Sequence, residues 1–268
     1  NKMKKIIYLL IFLNIIACSN ENNNSEFKYD SPPQGKYIEW FGNNSLANEL
    51  AMIGMYHFMN AEQEKATVFF EEAIKYDSSM FAPHVCLAEM SIENSEKQKY
   101  HIKEAKKNVA DNNEASKIFV SILDVKPDGY WGFFDSSEAL PLWEKMHKLE
   151  PRGNFIQQFY SFNIEDNKES ISIISKFIED AQKEGNRYDH FLNLLAYKYM
   201  ADGNIDQAKS SFEKYIEVYK SGYNPYDSMG EYYLKQGDST LAKKYYSKAL
   251  EKYPFARNAY YVLKSLKQ

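Results

Sequence analysis

Cysteine and glycine are scarce in this sequence. Its 268 residues include two Cys, Cys18 and Cys86, with 11 Gly and 8 Pro. Two Cys cannot build a disulfide framework, and without a Cys-x-x-Cys pair there is no seed for a structural zinc site. No two Gly are separated by a single residue, which excludes both a dinucleotide-binding fingerprint and a Gly-x-Ser-x-Gly nucleophile elbow. Walker loops, His-Glu-x-x-His and calcium loops are absent as well. The five His, at 57, 84, 101, 147 and 190, have no metal-ligand spacing and read as packed or solvated side chains. The sequence thus offers no catalytic residue, no metal site and no cofactor site, and an enzyme is not expected.

What the chain has in quantity is aromatic side chains, 16% of all residues with 22 Tyr and 17 Phe. With 44% hydrophobic and 26% charged residues this composition supports a substantial core held by packing alone. Cys86, between Val85 and Leu87, reads as part of that core.

The first residues read as an address. Lys2, Lys4 and Lys5 precede an apolar run from Ile6 to Leu13, too short to span a bilayer, and then Ile15-Ile16-Ala17-Cys18. Met3, in Met-Lys-Lys-Ile-Ile, reads as the start. The Ile-Ile-Ala-Cys string resembles the bacterial lipoprotein box, with Ile15 where Leu is usual. That resemblance implies a signal peptide over 1–17, lipidation at Cys18, and a membrane anchor that does not cross the bilayer. Residues 18–46, rich in Asn and containing Pro32-Pro33, then read as a flexible tether. Losing residues 1–17 removes three Lys and no acid, leaving 37 acidic against 30 basic side chains, a net charge of −7. Such a surface is unsuited to nucleic acid.

From residue 47 onward a repeat emerges. Asp189 onward aligns with Tyr223 onward at a constant offset of 34, pairing Leu192 with Tyr226, Leu195 with Met229, Ala196 with Gly230, Tyr199 with Tyr233, Gly203 with Gly237, Ala208 with Ala242 and Phe212 with Tyr246. Large residues recur at helical spacing, and small ones fall where two helices approach closely. Gly203-Asn204 and Gly237-Asp238 are placed to end one helix and cap the next. The same register gives Leu50, Ile53-Gly54, Ala66, Phe70 and Ala73, and again Ala139, Trp143, Met146 and Pro151.

This pattern resembles the tetratricopeptide repeat, with departures at His57, Ser78, Tyr215 and Lys220. The string Asn224-Pro225-Tyr226-Asp227-Ser228-Met229-Gly230-Glu231 further resembles the closing repeats of tetratricopeptide proteins from Bacteroidetes-type bacteria. The resemblance implies an all-α, right-handed solenoid of about six helix pairs over 47–268, closed by a capping helix from Phe255 to Lys267. Repeats are expected to begin near Ala47, Phe81, Val120, Asn154, Asp189, Tyr223 and Arg257.

Two places could carry function. Between 124 and 135, Pro127, Asp128-Gly129 and Gly132 interrupt a helix while Tyr130, Trp131, Phe133 and Phe134 cluster. These rings either plug the gap or form a site. The second is the inner surface. By resemblance to peptide-binding members, the inward residues are Phe155, Gln158 and Phe162; His190, Asn193 and Tyr197; Asn224, Asp227 and Glu231; then Asn258, Tyr261 and Ser265. Amides can hold a peptide backbone, and rings supply area with a polar tip. The resemblance implies a protein or peptide partner in the cell envelope, periplasmic or surface-exposed, with the outer membrane the expected site. The alternative is glycan capture in a nutrient-uptake system.

Overall fold

The computed structural model describes residues 37–266. The expected signal peptide, Cys18 and the tether up to residue 36 lie outside the described residues. Among the described residues there are thirteen α-helices, one short 3-10 helix and no strand. They form six pairs and a final single helix: α1 (Ser45–Met59) with α2 (Gln63–Tyr76), α3 (Phe81–Glu89) with α4 (Glu96–Asn108), and α5 (Glu114–Ser121) with α6 (Leu140–Leu149). The remaining pairs are α7 (Asn154–Asn163) with α8 (Asn167–Glu184), α9 (Asp189–Ala201) with α10 (Ile205–Val218), and α11 (Asn224–Lys235) with α12 (Ser239–Lys252); α13 (Arg257–Ser265) closes the chain's described part. No helix of these is long and apolar enough to cross a membrane.

The 34-residue pattern acts through close approach. A Cβ on Gly54 would stand 2.7 Å from the Phe70 ring, and one on Gly230 would stand 3.0 Å from the Tyr246 ring. Each Gly on a first helix therefore makes room for a buried ring sixteen residues later on its partner, and any larger residue would push the pair apart. Side-chain caps begin several helices, with Asn44, Ser95, Asn113, Asp166 and Asp238 each accepting a backbone N–H three positions on. Gly203 and Gly237 turn the chain with φ of 79° and 81°. Asn204, expected as a cap, makes no such bond; its amide instead donates to Asp202.

Three expected boundaries are corrected. The third pair does not begin near Val120, because α5 starts at Glu114 behind the Asn113 cap and Val120 lies near its end. The interruption at 124–135 therefore falls between the two helices of that pair. The tether does not run to residue 46: Ile38 and Trp40 are buried, and Trp40 packs its ring against Phe70, Phe119 and Phe155. Burial of these side chains outweighs the polar composition of the segment before them. The final helix starts at Arg257, two residues after Phe255, and is described to Ser265.

The largest core cluster joins the first four pairs around Phe58, Phe119, Phe134, Trp143, Phe155 and Phe159. Phe58, fully buried, meets Phe134 edge-on at 5.6 Å and Phe155 stacked at 6.0 Å. Rings in such geometries add about 0.5–1.5 kcal/mol per pair beyond the burial itself. These contacts bring α1 against α7 and the interruption, so the solenoid curls back on its own beginning.

Candidate functional site

The curl is completed by a buried polar junction between the α1–α2 turn and the helices α9 to α11. Asn60 and Glu62 are both fully buried. Glu62 receives Lys65 Nζ at 3.0 Å, the Tyr219 hydroxyl at 2.8 Å and the backbone N–H groups of Tyr223 and Asn224 at 2.6 and 3.3 Å, and it pairs with His57 Nδ1 at 2.8 Å. Burial alone would raise this carboxyl; the His57 hydrogen bond and the Lys65 charge outweigh it and hold Glu62 below the usual range. Beside it, Asp189 Oδ2 accepts from the Tyr56 hydroxyl at 2.7 Å and from Asn60 Nδ2 at 3.0 Å, while Arg187 Nε donates to Oδ1 at 2.9 Å. Tyr215 donates to Asn60 Oδ1 at 2.9 Å. The first and fifth repeats are thereby joined.

Inside this ring lies a cavity of about 750 Å³. Its floor comes from Met59 at the end of α1, Ala61 in the α1–α2 turn, and Gln63 and Glu64 at the start of α2. Its walls are Gln158, Phe159 and Phe162 of α7, His190, Asn193, Leu194 and Tyr197 of α9, and Asn224, Asp227, Ser228, Glu231 and Lys235 of α11. Tyr223 before α11, Arg257, Asn258 and Tyr261 of α13, and Tyr130 and Trp131 from the interruption complete it. Tyr261 and Tyr130 are exposed at the edge. The volume falls within the range of small-ligand and peptide side-chain pockets.

Ten of the eleven residues Phe155, Gln158, Phe162, His190, Asn193, Tyr197, Asn224, Asp227, Glu231, Asn258 and Tyr261 line this one cavity. Phe155 does not: it is buried between Trp40 and Phe58 because α1 occupies the surface it would otherwise face. Of the four rings in the interruption, Tyr130 and Trp131 line the cavity, whereas Phe133 and Phe134 are core. Glu89 holds that core half in place by accepting the Phe133 N–H at 2.9 Å, and burial raises its carboxyl to about 8. The Phe134 carbonyl accepts Trp143 Nε1 at 2.8 Å.

The groove expected from the sequence was an open concave surface; the α1–α2 turn and the interruption close it instead. Met59, Ala61, Gln63 and Glu64 were not foreseen as lining. Their sequence signal was His57, whose departure from the repeat pattern marks where this turn leaves the repeat's usual surroundings. His84 and His101, both buried, meet Nδ1 to Nδ1 at 2.8 Å, and burial lowers both to about 4. Among the described residues no group of His, Cys, Asp and Glu could hold a metal ion. Cys86 is buried, and its thiol is pushed up by that burial.

The cavity's polar groups are unevenly paired. Glu231 accepts from Tyr197 at 2.8 Å and from Lys235 Nζ at 2.8 Å. Glu64 receives the Tyr223 hydroxyl and lies 3.7 Å from Arg257 Nε. Asp227 Oδ2 accepts from Asn258 Nδ2 at 2.7 Å, and its carboxyl is raised to about 7 by burial. Five buried side-chain polar atoms among the described residues have no hydrogen-bond partner, and four sit on cavity residues: Gln158 Oε1, His190 Nε2, Asn193 Oδ1 and Asp227 Oδ1.

Two of the helix pairs that build the cavity match a known family in sequence. Residues 189–221 and 228–256 each match the tetratricopeptide repeat. In solved structures, the chain is similar to the anaphase-promoting complex hetero-tetramer Cut9–Hcn1, with 14% identity over 83% of this chain and 43% of that one and a TM-score of 0.45. This chain thus spans less than half the length of that relative. It is also similar to a thermophilic tetratricopeptide protein of Thermus thermophilus, at 16% identity over 82% of this chain and 98% of that one, TM-score 0.42. A third is PilW, a type IV pilus biogenesis factor, at 15% identity over 82% and 100%, TM-score 0.40. No curated protein matches the chain. The tetratricopeptide solenoid, an all-α stack of helix pairs, is a scaffold type suited to protein–protein interaction.

Proposed function

We propose that this protein is a lipid-anchored scaffold of the bacterial cell envelope, attached through Cys18 at the outer membrane and facing the periplasm or the cell surface. It captures a protein partner by taking a short segment of it into the cavity among α7, α9, α11 and α13. The single observation that carries this reading is the convergence of ten inner-face residues from three repeats and α13 on one cavity of about 750 Å³. Side chains that merely solvate a surface need not leave four buried polar atoms unpaired beside one hollow. Amides and tyrosine hydroxyls on first helices suit a peptide's mixed donors and acceptors. Glycan capture has less support, since Trp131, the ring best suited to stacking on a sugar, is half-buried and packs edge-on against Phe58 at 5.7 Å.

A pull-down from intact envelopes tests it, with the wild type beside Cys18→Ser and Asn193→Ala. One partner retained by the wild type, lost with Asn193→Ala and displaced to the soluble fraction with Cys18→Ser, is the expected result. Retention by Asn193→Ala equal to wild type contradicts the cavity, and a Cys18→Ser protein that stays in the membrane fraction contradicts the anchor.

A further inference from the structure

The cavity's charges and orphaned atoms restrict what can occupy it. Both cations at its edge are already engaged, Lys235 by Glu231 and Arg257 by Glu64. Asp227 is the acid in the cavity whose partners are neutral, the Asn258 amide and the Ala259 N–H. It is 7% exposed, so an ionised Asp227 is a buried charge without a counter-ion. An anionic occupant would add to the repulsion, and a neutral one would leave the charge uncompensated.

The orphaned atoms point the same way. Gln158 Nε2 donates to the Met59 carbonyl at 2.9 Å, which fixes the amide's orientation and leaves Oε1 as a free acceptor. Asn193 Oδ1 and Asp227 Oδ1 are also acceptors, on side chains 9% and 7% exposed. His190, 2% exposed, is held neutral at pH 7 by burial, so it adds no cation. Three of the four orphaned atoms are thus oxygen acceptors, and the cavity carries one unmatched negative charge. The rings of Phe162, Tyr197 and Trp131 also line the cavity.

We propose that the cavity binds a primary ammonium group, with Asp227 as its counter-ion. This rests on the reading of the cavity as the capture site and names the chemistry it captures. A primary ammonium brings N–H donors and one positive charge, which suits a cavity lined by orphaned acceptors and one unmatched carboxylate. The group can come from a partner's lysine side chain or N-terminus, or from a free small amine.

Titration calorimetry on the full chain tests this with n-butylammonium, its neutral counterpart n-butanol, acetyl-Ala-Lys-Ala-amide, the same peptide with acetylated lysine, and Ala-Ala-Ala-amide with a free N-terminus. The free amines are expected to bind, and n-butanol and the acetylated lysine to bind at least roughly tenfold more weakly. Which free amine binds tightest separates the sources. Asp227→Asn is expected to cost roughly tenfold or more for every amine. The groups facing Asp227 are Glu231 on α11, Glu64 on α2, Asn258 on α13, and the hydroxyls of Tyr130, Tyr197, Tyr223 and Tyr246. With Asp227 near 7, amine affinity is expected to fall about tenfold between pH 8 and pH 6, a decline that Asp227→Asn abolishes.

Equal binding of free and acetylated lysine, or no amine binding at millimolar concentration, overturns the ammonium assignment whatever the fold of any variant. Capture of a partner that n-butylammonium does not compete for leaves the scaffold standing and removes the ammonium. Amine binding with no partner captured from envelopes does the reverse.

Discussion

The Tyr215 hydroxyl donates to Asn60 Oδ1 at 2.9 Å across 155 residues of chain. Tyr215 stands where the tetratricopeptide repeat uses a small residue, and its ring is completely buried. The first repeat has been drawn onto the fifth, and this side chain fills the space between them. Tyr215→Phe leaves the Asn60 oxygen without that donor and should cost about 1–2 kcal/mol. Tyr215→Ala, the residue an ordinary repeat would carry, should cost about 3–5 kcal/mol through the void it opens. Urea denaturation of both variants checks the order; a Tyr215→Ala protein as stable as wild type would mean that the junction contributes nothing.

Glu62 sets one pH dependence. Its folded pKa is lowered, so its contribution is complete above the unfolded value, about 4.3, and is lost as pH falls through the lower folded value. Glu62→Gln should therefore be destabilised at pH 7 by an amount that shrinks as the medium is acidified below about pH 4. Denaturation curves across that range show whether the two proteins converge.

Asp227 has the opposite sign. Its folded pKa is raised to about 7, so the free protein is not penalised below the unfolded value near 3.9 and loses stability as pH climbs toward 7. Glu89, raised to about 8, adds to the same decline. Asp227→Asn should be more stable than wild type at pH 8, by on the order of a few kcal/mol, and little different at pH 4. Melting temperatures at the two pH values decide it, and an amine ligand should narrow the difference at pH 8 by stabilising the wild type alone.

The interruption should divide into two kinds of position. Phe134→Ala empties a fully buried site among Phe58, Trp143 and Phe159 and should cost about 3–5 kcal/mol. Tyr130→Ala, at an exposed edge, should change stability by no more than about 0.5 kcal/mol while weakening partner capture. Thermal melts and pull-downs on the two variants separate packing from binding.

Much of this was legible in the residues. Glycine and alanine at constant offsets placed the helix pairs, because close approach needs small residues wherever it occurs. The inward positions followed from the same register, and ten of them share one cavity. Closure of the ring was not legible. It depends on Asn60, Glu62, Arg187 and Asp189, polar residues in turns and at a helix start, whose partners are far away in sequence. Only the departures at His57 and Tyr215 signalled it, and a departure alone does not name its partner. Phe155 was misplaced for the same reason: its register is inward, but α1 had already filled that part of the interior.

Site-specific photo-crosslinking in intact envelopes tests the central claim most directly. A photoreactive amino acid replaces Tyr261, at the exposed edge of the cavity, or Tyr100, similarly exposed on α4 and outside the cavity lining. Capture in the cavity predicts one discrete crosslinked partner from position 261, reduced by Asn193→Ala, and none from position 100. The same species from both positions, or none from 261 with the protein correctly anchored, would contradict it.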